Sequence, residues 1–203
     1  MIITEELRNI LEDKLFIEEF LKPEDEKKFL AVMEKYLLNR SAVSTFVKNL
    51  DDTIAFYEVV GVTYDKMLQS IMKWPAIIHA DKNELFEKYL LAALIINSQT
   101  GECDRKNILI EHPKDFMTGL DTIYSRIMYL KSGSADLRDE HVTRRKIFKA
   151  THTEFYEMYG VSKNQLLRIY IIDDDIIEEI KKWDVNKELV RKYEGKGFGK
   201  RAS

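Results

Sequence analysis

Apolar residues open the chain at three- and four-residue steps: Leu7, Ile10, Leu11, Leu15, Phe16 and Phe20. That spacing lays one apolar stripe along a helix. Thr4 ahead of the stripe, with Glu5 and Glu6 beside it, predicts the N-terminal cap. Pro23 predicts the end of this helix and the first turn of a second, 24–39, with the stripe Phe29, Leu30, Met33, Tyr36 and Leu37. A third helix is predicted from Ser41 to Val60, with Asp51-Asp52 as its expected break. Gly61 then closes it by supplying a left-handed residue.

From Gly61 onward the pattern repeats. Gly61-Val-Thr-Tyr-Asp-Lys-Met-Leu68 is echoed by Gly160-Val-Ser-Lys-Asn-Gln-Leu-Leu167, and Ile77-Ile78 by Ile176-Ile177 at the same offset. Thr63 and Ser162 fall at N-cap positions, and Ser162 with Gln165 spells a capping box. Pro75 corresponds to Asp174, both residue types that favour helix starts. A second echo pairs Trp74-Pro75 with His112-Pro113, Leu85-Phe86 with Ile123-Tyr124, and Lys88 with Arg126. Each unit therefore reads as a short helix, a corner at Pro or Asp, and a longer helix folding back. Such units bury their apolar faces only by stacking on neighbours.

Helix 82–97 is apolar almost all round near its end, which predicts a central position. Residues 137–159 fit the period poorly and read as one long helix or a degenerate unit. The expected fold is all-α, with stacked helical hairpins forming a short irregular superhelix or solenoid-like single domain. Its parts are 1–60 (acidic helices), 61–194 (degenerate repeats) and 195–203, a flexible basic tail with three glycines.

The pattern Gly-Val-Thr-x3-Met-Leu-x6-Pro-Ala-Ile-Ile, followed by Leu85 and Leu90, resembles the repeat of the mitochondrial transcription termination factor (mTERF) family. The resemblance is best at 61–94, extends to 101–131, and recurs without the proline at 160–192. It implies a curved stack of hairpins whose basic concave face tracks duplex nucleic acid. This chain departs from that pattern in its few repeats, its acidic balance and its acidic opening residues, which are unlike an Arg-rich leader.

Composition narrows the classes. Of 203 residues, 45% are hydrophobic and 33% charged, while only eight Gly and three Pro punctuate the chain. Sheet-rich folds need turn residues far more often. A single cysteine, Cys103, excludes an internal disulfide and a multi-cysteine zinc site. The longest apolar run, Tyr89 to Ile96, is far short of the roughly 20 residues that span a membrane, so no membrane partner is expected. The expected location is the cytoplasm.

The net charge of −3 is uneven. Residues 1–60 carry eight Lys/Arg against thirteen Asp/Glu, and residues 131–203 carry sixteen against thirteen. Phosphate binding depends on Lys and Arg, so the C-terminal third is the expected surface for nucleic acid. Its candidate residues are Arg144, Arg145, Lys149, Lys163, Arg168, Lys181, Lys182, Arg191, Lys192, Lys200 and Arg201.

None of the four histidines (His79, His112, His141, His152) forms a metal-binding pair, and no catalytic motif is present. Asp173-Asp174-Asp175 reads as a helix start, with Asp175 as the cap. No cofactor, metal or catalytic residue is therefore expected. Two functions remain: a nucleic-acid-binding regulator using the basic face, or a protein-interaction module that binds no nucleic acid.

Overall fold

The computed structural model describes residues 2–37, 40–96, 105–132 and 149–198. Within them the chain is all-α, with no strand among the described residues. Helix α1 (Ile2–Leu15) buries Leu7, Leu11 and Leu15, as its stripe requires. Thr4 lies inside this helix rather than capping it. The periodic stripe fails at Phe16, which takes the left-handed conformation (φ 45°, ψ 39°) and separates α1 from α2 (Ile17–Phe20). That one residue rotates the chain, so Ile17 and Leu21 become buried while Phe16 and Phe20 are left exposed.

Pro23 starts α3 (Pro23–Tyr36), which buries Phe29 and Met33. Helix α4 (Arg40–Val59) runs unbroken through Asp51-Asp52, contrary to expectation. Both aspartates face water there and need no break to be solvated. Gly61 ends it at φ +70°. Its N–H donates to the Glu58 carbonyl at 3.0 Å and that of Val62 to the Tyr57 carbonyl at 2.9 Å. This pair of bonds is the Schellman motif, which only a left-handed residue allows.

Two units of one design follow: α5 (Tyr64–Lys73), a 3₁₀ turn Pro75–His79 and α6 (Lys82–Ile96), then α7 (Arg105–Glu111), a 3₁₀ turn Pro113–Met117 and α8 (Leu120–Lys131). Equivalent elements stack, α5 on α7, turn on turn, and α6 on α8. Proline explains the corners. Pro113 has no N–H, so the Leu109 carbonyl four residues earlier loses its helical donor. The buried Ser70 hydroxyl of the preceding unit donates to that carbonyl instead, at 2.8 Å. Buried cations hold the turns as well. The Lys82 ammonium donates to the carbonyls of Ile78 (3.0 Å) and Ala80 (2.8 Å). The Lys88 ammonium reaches the Phe116 carbonyl of the next unit at 3.1 Å while pairing with Glu84 at 2.6 Å.

The last four helices are α9 (His152–Tyr159), α10 (Lys163–Ile169), α11 (Asp174–Lys181) and α12 (Asp184–Gly195). Gly160 (φ +67°) and the Ser162–Gln165 capping box occur where the echo puts them. A second box, Thr151 with Glu154, starts α9. The echo does not extend to the corner. With Asp173 as cap and Asp174 in place of proline, the chain enters a regular α-helix and not a 3₁₀ turn. The cap is Asp173, which accepts the Asp175 N–H at 3.0 Å, and not Asp175. Packing changes accordingly: α10 lies mainly on α8, α11 on α6 and α12, and α12 on α4.

Helix α6 is therefore central, touching α4, α7, α8 and α11. A further polar link ties α12 to this core. The Arg105 guanidinium sits 4.7 Å over the Tyr89 ring and donates to the fully buried Asn186 side chain at 2.9 Å, and Asn186 donates to the Ile180 carbonyl at 2.9 Å. At the C-terminus, Lys196 pairs with Glu58 at 2.7 Å and Phe198 stacks on Tyr193. The start of the expected tail thus lies against the domain.

Candidate functional site

A cleft of about 390 Å³ opens where α11 and α12 close over α6. Its floor comes from amphipathic packing. Phe86 of α6, Ile177 of α11 and Tyr193 of α12 are buried, and Val190 is half-buried beside them. The Phe86 and Tyr193 rings lie parallel, with centroids 3.8 Å apart and 5° between planes. Phe198 covers the Tyr193 ring as well, at 4.7 Å. The Tyr193 hydroxyl donates to the Asn83 side chain at 2.9 Å.

The three buried floor residues are each followed by glutamate, giving Phe86-Glu87, Ile177-Glu178 and Tyr193-Glu194. One step along a helix turns the side chain by about 100°. A glutamate next to a core residue therefore emerges at the edge of the helix contact. Glu87, Glu178 and Glu194 line the cleft in this way, joined by Asp174 from the first turn of α11. Among the described residues that line the cleft the one ammonium is Lys181, paired with Glu178 at 2.6 Å. The local field is negative. The Tyr193 phenol is pushed above its ordinary range, first by burial and then by Asp81, Glu87 and Asp52.

The basic residues of the C-terminal third are spread over several elements. Lys149, Lys163, Arg168, Lys182 and Arg191 are exposed. Lys181 pairs with Glu178, and Lys192 with Glu188 at 2.9 Å. Lys187 pairs with Asp184 at 2.7 Å. Arg144, Arg145, Lys200 and Arg201 lie outside the described residues, as do Cys103 and His141. Lys149 precedes α9 and Lys182 follows α11, while the helices carrying the others pack chiefly on different neighbours, α10 on α8, α11 on α6 and α12 on α4.

The histidines in the described residues serve local contacts. His79 hydrogen-bonds Asn49 at 3.2 Å and lies beside the Tyr36 ring at 5.8 Å. Burial, then Lys82, lowers its basicity. His152 lies 3.5 Å from the buried Arg126 guanidinium. Its basicity also falls, through burial first and then Lys163 and Arg126.

Among the described residues one group of carboxylates is close enough to share a metal ion: Glu12, Glu18 and Glu26, with ligand atoms within 4.8 Å of one another. Arg8 already serves it, pairing with Glu12 at 2.6 Å and Glu26 at 3.7 Å. Among the described residues no helix is long and apolar enough to cross a membrane.

Sequence reasoning missed the cleft because its parts are far apart: Asn83 and Tyr193 are separated by 110 positions. The repeated apolar-Glu dipeptides were its only local trace. Comparison of the chain with protein-family models, curated proteins and solved structures finds no match.

Proposed function

We propose that this protein is a non-enzymatic protein-interaction module, with the α6/α11/α12 cleft as its docking site. The observation that carries the reading is the sign of the charge among the described residues there, Asp174, Glu178 and Glu194 against Lys181 around an apolar floor. Such a surface repels phosphates, whose binding runs on Lys and Arg. The C-terminal lysines support the same reading, since Lys181, Lys187 and Lys192 each have a carboxylate partner within one helical turn. A cation so paired has less charge to offer a phosphate.

Nucleic-acid binding is the second reading. It draws on the two stacked α–3₁₀–α units, which fit the mTERF-like pattern, and on the exposed Lys149, Lys163, Arg168, Lys182 and Arg191. The two readings separate in one experiment. A fluorescent DNA duplex is titrated with the protein at low salt, where phosphate contacts are strongest. The interaction-module reading expects no saturable binding at micromolar protein. Saturable binding that weakens steeply with added salt, and is lost when Lys163 and Arg168 become Glu, would overturn it.

A further inference from the structure

Between α10 and α11 the chain runs Arg168-Ile-Tyr-Ile-Ile-Asp-Asp-Asp175. Its apolar side chains alternate in and out, as they do along extended chain. The Tyr170 hydroxyl donates to Ser132 at 3.0 Å, and Ile172 packs against the main core. These two inward anchors leave Ile169 and Ile171 in water, 65% and 73% exposed. They are the most exposed large apolar side chains among the described residues. Scattered single apolar residues are ordinary on a surface, but two isoleucines side by side mark a contact. The backbone is open as well. Among the described residues the N–H groups of Ile171 and Ile172 have no hydrogen-bond partner. Exposed chain with unpaired amides is a template for a second chain.

Charge selects which chain that is. Arg168 stands before the isoleucines, and Asp173, Asp174 and Asp175 stand after them. All four charged side chains are exposed. Arg168, Asp174 and Asp175 form no ion pair among the described residues, unlike Lys181, Lys187 and Lys192. A segment with a cation ahead of its apolar centre and anions behind is complementary to itself when turned end for end. A two-fold axis brings two copies together in that way, with the same patch used on both.

We propose that the α10–α11 connection is the contact through which two copies of this chain form a two-fold dimer, Ile169 and Ile171 of each copy packing together and Arg168 of each lying against Asp174 and Asp175 of the other. The inference is independent of the interaction-module reading, since it uses neither the cleft floor nor a foreign partner. Parallel association is disfavoured, because it sets Arg168 on Arg168 and carboxylate on carboxylate. The contact is small, so the dimer is weak and reversible.

Sedimentation equilibrium of the full chain from about 5 to 500 µM tests the proposal, a range suited to weak association. A monomer–dimer equilibrium is expected. Ile169→Asp/Ile171→Asp should raise the dimer Kd by about tenfold or more, as for anchors lost from the centre of a contact. Arg168→Glu should raise it by about fivefold or more, since symmetry repeats each lost pair, and Asp174→Lys/Asp175→Lys likewise. Mixing these two charge-reversed variants restores both pairs across one heterodimer. The equimolar mixture should therefore associate about as tightly as wild type, an outcome that misfolding cannot mimic. Circular dichroism of each variant establishes that the helices persist.

A chain that stays monomeric throughout the range would overturn the proposal, as would a dimer indifferent to the isoleucine or the charge substitutions. Charge-reversed variants that weaken alone but gain nothing on mixing would sink it too, because the opposite charges then do not meet. Species that keep growing beyond two copies would also count against it, since a two-fold contact closes at the dimer.

Discussion

Replacing Ser70 with alanine probes the joint between the two stacked units directly. Ser70 is fully buried, and its single proton goes to the Leu109 carbonyl at 2.8 Å. The Tyr57 hydroxyl, 2.6 Å from the serine oxygen, must therefore donate to it. Burial has already pushed the Tyr57 phenol far above its ordinary range, so it stays protonated as a donor. Alanine leaves two buried groups without partners, the tyrosine O–H and a carbonyl that Pro113 cannot serve. At roughly 1–3 kcal/mol for each orphaned group, the loss is about 3 kcal/mol. For a chain of this size that corresponds to a fall in Tm of about 6–12 °C.

Tyr57→Phe alone should cost only about 1 kcal/mol, since Ser70 still reaches Leu109. The decisive variant is the double one. Phenylalanine at 57 removes the hydroxyl that Ser70→Ala orphans, so the two losses should fall short of additive by about 1 kcal/mol. Urea unfolding of the four proteins measures this coupling. Strict additivity, or a Ser70→Ala loss below about 0.5 kcal/mol, would refute the relay from Tyr57 through Ser70 to Leu109.

Phe16 is 53% exposed in a left-handed conformation, so Phe16→Asn should raise Tm slightly by relieving strain of about 1 kcal/mol. A fall in Tm would mean that the ring contributes packing. Gly160→Ala should lose about 1 kcal/mol to the positive φ alone, because the added methyl meets open space. Gly195→Ala, at an ordinary φ in α12, should lose nothing, and equal losses at 160 and 195 would contradict the conformational account.

Burial lowers the Lys82 ammonium to about 8, against the opposing pull of Asp52 and Asp81. Its folded pKa thus lies below the unfolded one, and the unfolded chain holds the extra proton between pH 8 and about 10.5. The Lys82 contribution to stability should therefore rise with pH across that window. Urea midpoints of wild type and Lys82→Met should diverge in this sense, and parallel curves would refute the shift.

The local grammar of this chain was legible in its residues. Gly61 and Gly160 at positive φ, the Ser162–Gln165 box, Pro23 at a helix start and the proline corners at 75 and 113 all depend on partners within a few positions. Hydrogen bonds of that range are written in neighbouring residues, so sequence spacing suffices. The all-α class follows from the same signals, and so does the central place of the nearly all-round apolar α6.

Other features were decided only by packing. A periodic stripe carries no information on whether a helix stops, and the left-handed Phe16 breaks one whose spacing was unblemished. The Gly160 echo preserved its caps but not its neighbours. With Asp174 where proline would be, α11 begins as a regular helix, and α11 and α12 fold over α6 and α4. That placement brings Phe86 onto Tyr193 and aligns three separated apolar-Glu steps around one cleft. A sequence states which face of each helix is apolar, but which faces meet is a long-range choice made by the whole core.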